Sequence, residues 1–453
     1  MLSRLLAAIT RKTYRALGET QANPAPLTQT PPGQGQENAH AARPEAERAH
    51  ALFDAGDYSA ARDAYEHLAQ TQAAPGLMVN RGYCELMLGE PDMARKSFAA
   101  ALALAPHLAQ AWVGLGDIAA RHNRHEEALR AYDKAIVLDD SQGIARNNRA
   151  QSLLALGRLD EAWRENEARF SAPGAQALYP HRLALPRWDG GAGRRLLVHW
   201  EQGFGDIIQH LRFLPLAAQR IAQIGGGSCG FECPPPLLTL LQRMPGAPTI
   251  IAAGEKAPDL SSFDCQAPLL SLPLLLGCRA DALPSTPYLR ADQPAADVLG
   301  QAWRQRDARR LVGIAWRASS FDPHRSLTLA ALLAAFAPRA TELRLVSLQK
   351  DISAEERALL MLHGGIDAGA NFDSFDDTAA ALTALDSVVS VDTAVAHLSG
   401  ALARPTLLLL NEPAAVRWMP DVEDSPWYGS LRLLRKSADD GWEVLLRRAA
   451  TQL

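Results

Sequence analysis

The sequence predicts two architectures in series: an α-helical array of paired helices, then an α/β unit of two Rossmann-like domains facing across a cleft. Three observations carry this expectation. Aligned against itself, the first third of the chain repeats small and aromatic residues at offsets of 33, 34 and 34 positions. From residue 195 onward, short apolar and β-branched runs alternate with helical patterns, the signature of parallel strand–helix–strand units. Within them, Ser387 to Val391 reads as a strand that turns through Asp392-Thr393 into a small-residue helix ending at Arg404-Pro405. A crevice at the carboxyl end of such a strand is where open α/β sheets hold ligands.

Composition bounds the function. At 453 residues the chain is long enough for two or three cores. An apolar fraction of 47% and a net charge of -4 argue against general disorder and against a polyanion-binding protein, so nucleic acid is not an expected partner. Five cysteines without a repeated C-x-x-C pair indicate buried thiols in a reducing, cytoplasmic setting. Cys229 and Cys233 share a segment, but without a second pair no metal site is expected. No apolar run is long enough to span a bilayer.

Residues 1–41 read as a leader and linker. Leu2, Leu5, Leu6 and Ile9 share one side of a helix that also carries Arg4, Arg11, Lys12 and Arg15. Such a segment, residues 1–18, suits peripheral contact with an anionic inner-membrane surface, and reads equally as a frayed, solvated leader. Residues 21–43, rich in Pro, Gln, Thr and Gly, are expected to be disordered. Residues 42–176 hold the repeats. Gly56, Tyr58, Ala61 and Tyr65 align with Gly89, Pro91, Ala94 and Phe98, then with Asn123, His125, Ala128 and Tyr132, then with Gly157, Leu159, Ala162 and Asn166. This is the tetratricopeptide period, in which small residues let paired helices approach and an aromatic fills the gap. The array offers a groove for a protein or glycan acceptor, or serves only to space or dimerise the molecule.

Residues 177–295 form the first expected α/β domain. A strand at 195–200 leads into Glu201-Gln202-Gly203-Phe204-Gly205-Asp206 and a helix over 207–224. Gly203 and Gly205 permit a backbone that side chains would block. Asp206 is either the N-cap of that helix or a carboxylate placed to take a proton from an incoming hydroxyl. Further strands fall near 229–233, 249–251 and 264–267, and Gly225-Gly226-Gly227 reads as a turn. Residues 283–309 read as a proline-bearing connection. Residues 296–453 form the second domain, with strands at 311–316, 343–347, 387–391 and 406–410 and helices at 328–336, 353–362 and 377–385. In its principal loop, Asp392 or Thr393 caps the helix and His397 packs one turn in, or the helix N-terminus receives a phosphate.

Seven ordered segments carry a resemblance. They are Glu201 to Asp206, Pro287-Tyr288-Leu289-Arg290-Ala291-Asp292, Val312-Gly313-Ile314-Ala315-Trp316-Arg317, Arg325-Ser326-Leu327, Val346-Ser347-Leu348-Gln349-Lys350, Val391 to His397, and Asp424-Ser425-Pro426-Trp427-Tyr428. Together they resemble bacterial tetratricopeptide-repeat glycosyltransferases whose catalytic half is like glycosyltransferase family 9, the heptosyltransferases, of GT-B fold. The resemblance implies inverting transfer from a nucleotide diphosphate sugar, with no metal or other cofactor. It places Asp206 as the catalytic base, with Gly203 and Gly205 in the acceptor-side loop. On the donor side it places Arg317, Arg325, Gln349, Lys350, Asp392, Thr393, Ala394 and His397. Trp316 and Trp418 read as core residues or as platforms for a base or sugar. Family members carry Asp-Trp-Arg-Trp after the last of these strands, and here Ala415-Val416 replaces its first half, ahead of Arg417-Trp418. The alternative function is therefore a catalytically degenerate repeat scaffold or nucleotide-sugar-binding adaptor.

Overall fold

The computed structural model describes residues 36–71, 73–141, 143–171, 184–254, 258–279, 281, 283, 287–305, 307–318, 323–437 and 440–453. The leader expected over 1–18 lies outside them. The described residues fall into two compact units, one ending at residue 171 and one beginning at 184.

The first unit is an array of four helix pairs: Gln36–Asp54 with Tyr58–Thr71, Pro75–Met87 with Pro91–Leu104, Ala109–Arg121 with His125–Leu138, and Gly143–Ala155 with Leu159–Glu165. The first helix begins inside the stretch expected to be linker and runs through Pro44. Ala46, Ala49 and Phe53, on one helical face after the proline, are buried in the core shared with Tyr58–Thr71. The aligned turn positions share a backbone conformation: φ is +82° at Gly56, +77° at Gly89, +56° at Asn123 and +71° at Gly157. Glycine enters the left-handed region without a Cβ penalty, and asparagine is among the few other residues that tolerate it, so the sequence register and the turn geometry coincide. The aligned aromatics Tyr65, Phe98 and Tyr132 are fully buried. At the fourth position Asn166 instead opens the short 3-10 turn Asn166–Ser171. Successive pairs are also tied by Asp117, which accepts hydrogen bonds from Tyr132 Oη at 2.8 Å and from Asn148 Nδ2 at 2.9 Å.

The second unit contains two wholly parallel sheets. β1 (Arg195–His199), β2 (Ser228–Cys233), β3 (Thr249–Ala252) and β4 (Cys265–Pro268) are ordered β3-β2-β1-β4. β5 (Arg310–Ala315), β6 (Leu343–Ser347), β7 (Ile366–Asp367), β8 (Ser387–Val391), β9 (Thr406–Leu410) and β10 (Leu431–Arg435) are ordered β10-β9-β8-β5-β6-β7. β8 and β9 are buried along their whole length, as strands covered on both faces must be. The six-stranded order reverses direction between β5 and β8, and the four-stranded order between β1 and β4. Such switch points leave a crevice at the carboxyl ends of their strands. The loops after β1 and β8 are therefore placed for binding by topology alone.

Three expectations of local structure are corrected. The helix expected over 207–224 starts earlier, at Phe204, and is broken into Phe204–His210, the 3-10 turn Leu211–Phe213 and Leu214–Ala222. Pro215, at the start of the last piece, lacks the N–H that would continue the ladder. The connection over 283–309 contains a helix, Gln293–Arg304, started by Asp292 accepting from the Ala295 N–H. Pro294, read as a breaker, sits in the first turn, where a missing N–H costs nothing. β10 and the closing helix Trp442–Thr451 are additional elements. The five cysteines carry free thiols, and burial pushes those of Cys84, Cys229 and Cys233 up to about 12.

Candidate active site

The loop after β1 turns through Gln202, whose φ of +61° is a strained conformation for a side-chain-bearing residue. Gly203 is the N-cap of the helix Phe204–His210, and Asp206 stands at its third position, only 5% exposed. Asp206 Oδ2 accepts from the Gly203 N–H at 3.3 Å, so the carboxylate supports the cap instead of being it. Its other oxygen, Oδ1, accepts from Arg417 Nη1 at 2.6 Å. Arg417 belongs to the short 3-10 turn Val416–Trp418 beyond β9.

On the other side, β8 ends at Val391 and Thr393 takes the N-cap position of the helix Ala394–Ala401. Thr393 makes no side-chain capping bond; its hydroxyl lies 3.2 Å from Ser390 Oγ. The first turn, opened by Ala394, thus keeps backbone N–H donors without a side-chain cap, the arrangement that suits an anion. Asp392 is 4% exposed, and its Oδ2 accepts from Arg325 Nη1 at 3.3 Å. His397 Nε2 is 3.7 Å from Asp392 Oδ1, beyond hydrogen-bond length, while His397 Nδ1 is 2.9 Å from Tyr428 Oη. Trp418 stacks on the imidazole with centroids 5.1 Å apart.

These two helices touch. A Cβ on Gly205 would lie 2.8 Å from His397 Cδ2, and His397 is pinned by Trp418 and Tyr428, so position 205 has room only for hydrogen. The contact is buttressed by Arg212, a buried guanidinium that donates to the Trp427 carbonyl at 2.7 Å and lies 4.9 and 4.8 Å from the ring centres of Tyr288 and Tyr428. Phe204 packs on Phe375 at 4.9 Å, and Arg243 pairs with Asp376.

Charge is balanced locally by Asp206 and Asp392 against Arg325 and Arg417. Burial would raise the Asp392 carboxyl, but His397 and the cations of Arg417 and Arg325 overcome it and hold the group well below the usual carboxylate range. Burial lowers the His397 imidazole, with Arg417 acting in the same sense against Asp392 and Asp206, so the ring is neutral at pH 7. His210, whose Nδ1 lies 2.9 Å from the Asp206 carbonyl, is pushed by burial down to about 4.

Comparison with known proteins settles the first unit. The tetratricopeptide repeat family matches residues 46–108, 88–143 and 113–174. The array consists of tetratricopeptide repeats. Over 394 residues the chain is 26% identical to Protein FlbA of Caulobacter vibrioides, a match that covers 79% of this chain and spans 63% of that relative's length. The glycosyl transferase family 9 protein of Veillonella parvula aligns over 54% of this chain and 86% of its own, with 12% identity and a TM-score of 0.42. The ADP-heptose LPS heptosyltransferase II of E. coli aligns over 56% of this chain and 98% of its own, with 16% identity and a TM-score of 0.41.

Gly203, Gly205, Asp206, Arg325, Asp392, Thr393, Ala394 and His397 come together around these two loops, whereas Arg317 and Gln349, expected on the donor side, make contacts with each other's loops and with Glu356. Arg317 pairs with Glu356 at 3.0 Å and donates to the Asp351 carbonyl. Its backbone N–H is held by Gln349 Oε1 at 3.1 Å, which gives Gln349 a role in fixing the β5 and β6 loops. Lys350 is exposed. Trp316 and Trp418 are buried core residues, with Trp316 Nε1 donating to Glu356 at 3.1 Å. Arg212 and Arg417 escaped sequence reading. The retained Arg417-Trp418 half of the altered run was the signal for the second.

Proposed function

We propose that the second unit is a GT-B glycosyltransferase that moves a sugar from a nucleotide diphosphate donor to an acceptor hydroxyl by inverting displacement. The observation that carries this is the meeting of Asp206 with the Asp392–His397 turn at the paired switch points of two parallel sheets. In this reading Asp206 takes the acceptor's proton as the acceptor oxygen bonds to the anomeric carbon. The bond from that carbon to the phosphate oxygen breaks, and its electron pair leaves with the nucleoside diphosphate. The transition state has oxocarbenium character, so a base at one face and charge stabilisation at the other both lower the barrier. Arg325 and the uncapped N–H groups of the Ala394 helix would meet the leaving diphosphate, a division that calls for no resident metal. Asp392, an anion itself, acts by holding Arg325 in place.

The repeats are of a kind that engages proteins, and we assign them recruitment of a protein or glycan acceptor. A cytoplasmic chain with peripheral inner-membrane contact through residues 1–18 fits an acceptor built at that surface. Among the described residues no helix is long and apolar enough to cross a membrane.

Thermal melting of the full chain against UDP, GDP, ADP, CMP and their common sugar conjugates tests the reading. A ligand at about a hundred times its dissociation constant adds roughly 2.7 kcal/mol to the unit that binds it. A rise with one nucleotide and its sugars is expected. A well-folded protein that no member of the panel stabilises would move the assignment to the scaffold alternative.

A further inference from the structure

The carboxylate assigned as base is already engaged. Arg417 Nη1 and Asp206 Oδ1 are 2.6 Å apart, and both side chains are largely withdrawn from solvent, at 25% and 8% exposed. A guanidinium at that distance favours the carboxylate over the carboxylic acid and so opposes the proton uptake that a base must perform. A carboxylate paired in this way is a poorer proton acceptor than a free one.

The same cation belongs to the donor side. Its neighbour Trp418 stacks on His397, one turn into the helix that Asp392 and Thr393 open. Its charge bears on both Asp392 and His397. Asp206 is faced by the Gly203 N–H and His210 from its own helix, by His397 from the helix after β8 and by Arg417 from beyond β9, among others. Both imidazoles are lowered by burial, His210 to about 4, so at neutral pH Arg417 is a cation, and neither imidazole is, against Asp206.

Building on the glycosyltransferase reading, we infer that Arg417 serves two anions in turn, Asp206, with which it pairs in this structure, and the diphosphate of a bound donor. Donor binding then releases the base. Asp206 and Asp392 balance Arg325 and Arg417. A diphosphate ester brings further negative charge and presents oxygens that a guanidinium binds in the same forked manner as a carboxylate. The exchange imposes an order, with the acceptor hydroxyl meeting an unencumbered carboxylate only after the leaving group is seated.

The test is a double-mutant cycle on the full chain, read as affinity for ADP, UDP, GDP and inorganic pyrophosphate by titration calorimetry. Wild type, Asp206→Asn, Arg417→Met and the double variant are compared, with Arg417→Gln as the substitute where Arg417→Met does not melt cooperatively. Asparagine at 206 keeps an acceptor for the Gly203 N–H while removing the competing charge. Asp206→Asn is expected to tighten binding of the preferred nucleotide about tenfold, an effect of the size seen for directly coupled pairs. Arg417→Met is expected to weaken it by about tenfold or more, and the double variant to match Arg417→Met. Unchanged affinity in Asp206→Asn overturns the exchange. So does an equal gain in the Arg417→Met background, because that would be simple relief of charge repulsion. Failure of every probe to bind both wild type and Asp206→Asn overturns the glycosyltransferase reading together with the exchange.

Discussion

Asp206→Asn is expected to slow turnover of the nucleotide sugar by about 10²–10⁴-fold, the usual worth of a positioned general base. The substitution is nearly isosteric, and its amide oxygen still accepts from the Gly203 N–H that Asp206 now holds at 3.3 Å, so the helix start is retained. What it removes is the capacity to accept a proton. Release of nucleoside diphosphate, followed with saturating donor, measures the loss. Melting in parallel checks that the fold stands. Turnover within tenfold of wild type would take Asp206 out of the base role and leave it as the capping and pairing group that its contacts also describe.

The second large effect is on stability. Asp392 is buried and accepts from Arg325 at 3.3 Å beside a neutral His397, so Asp392→Ala leaves a largely buried guanidinium without its carboxylate. Breaking one side of a buried pair costs about 3–5 kcal/mol. At about 2–4 °C per kcal/mol this lowers the melting temperature of the α/β unit by roughly 10 °C. The sign of the pH dependence follows from the depressed carboxyl. Its stabilisation is fully present above the unfolded carboxyl value of about 3.9 and is lost as pH falls below it. The gap between wild type and variant is therefore expected to be constant from pH 6 to 8 and to narrow in acid below about pH 4. A variant that melts with wild type at pH 7 would show that the pair contributes nothing to the fold.

Much of this architecture is legible in the residues themselves. β8 and β9 occupy the stretches expected of them because a strand buried on both faces reads as a near-continuous run of apolar and small residues with sharp ends. The repeat register is legible because a left-handed turn admits few residues, and Gly56, Gly89, Asn123 and Gly157 are all of that kind. Pro294 misled because proline breaks a helix in its interior but starts one at its first turn, and only the Asp292 cap distinguishes the cases. The partner of Arg317 was illegible for a different reason. The place of Arg317 after a strand at the switch point suits a donor ligand, but its partner Glu356 is one of many carboxylates that sequence spacing does not rank. Arg417 and Arg212 were missed by the same route, since their partners, Asp206 and Trp427, lie more than two hundred residues away along the chain. Pairing at that separation is a property of the folded unit and not of any local pattern.

The central claim is that this cleft breaks the bond between a sugar and a nucleotide diphosphate by a single displacement. Proton NMR of the wild-type full chain with each stabilising nucleotide sugar, water serving as the acceptor, tests it most directly. The account predicts slow consumption of one donor, with the released sugar first appearing in the anomeric configuration opposite to that of the donor. Release with retained configuration, or no consumption of a donor that demonstrably binds, would contradict it.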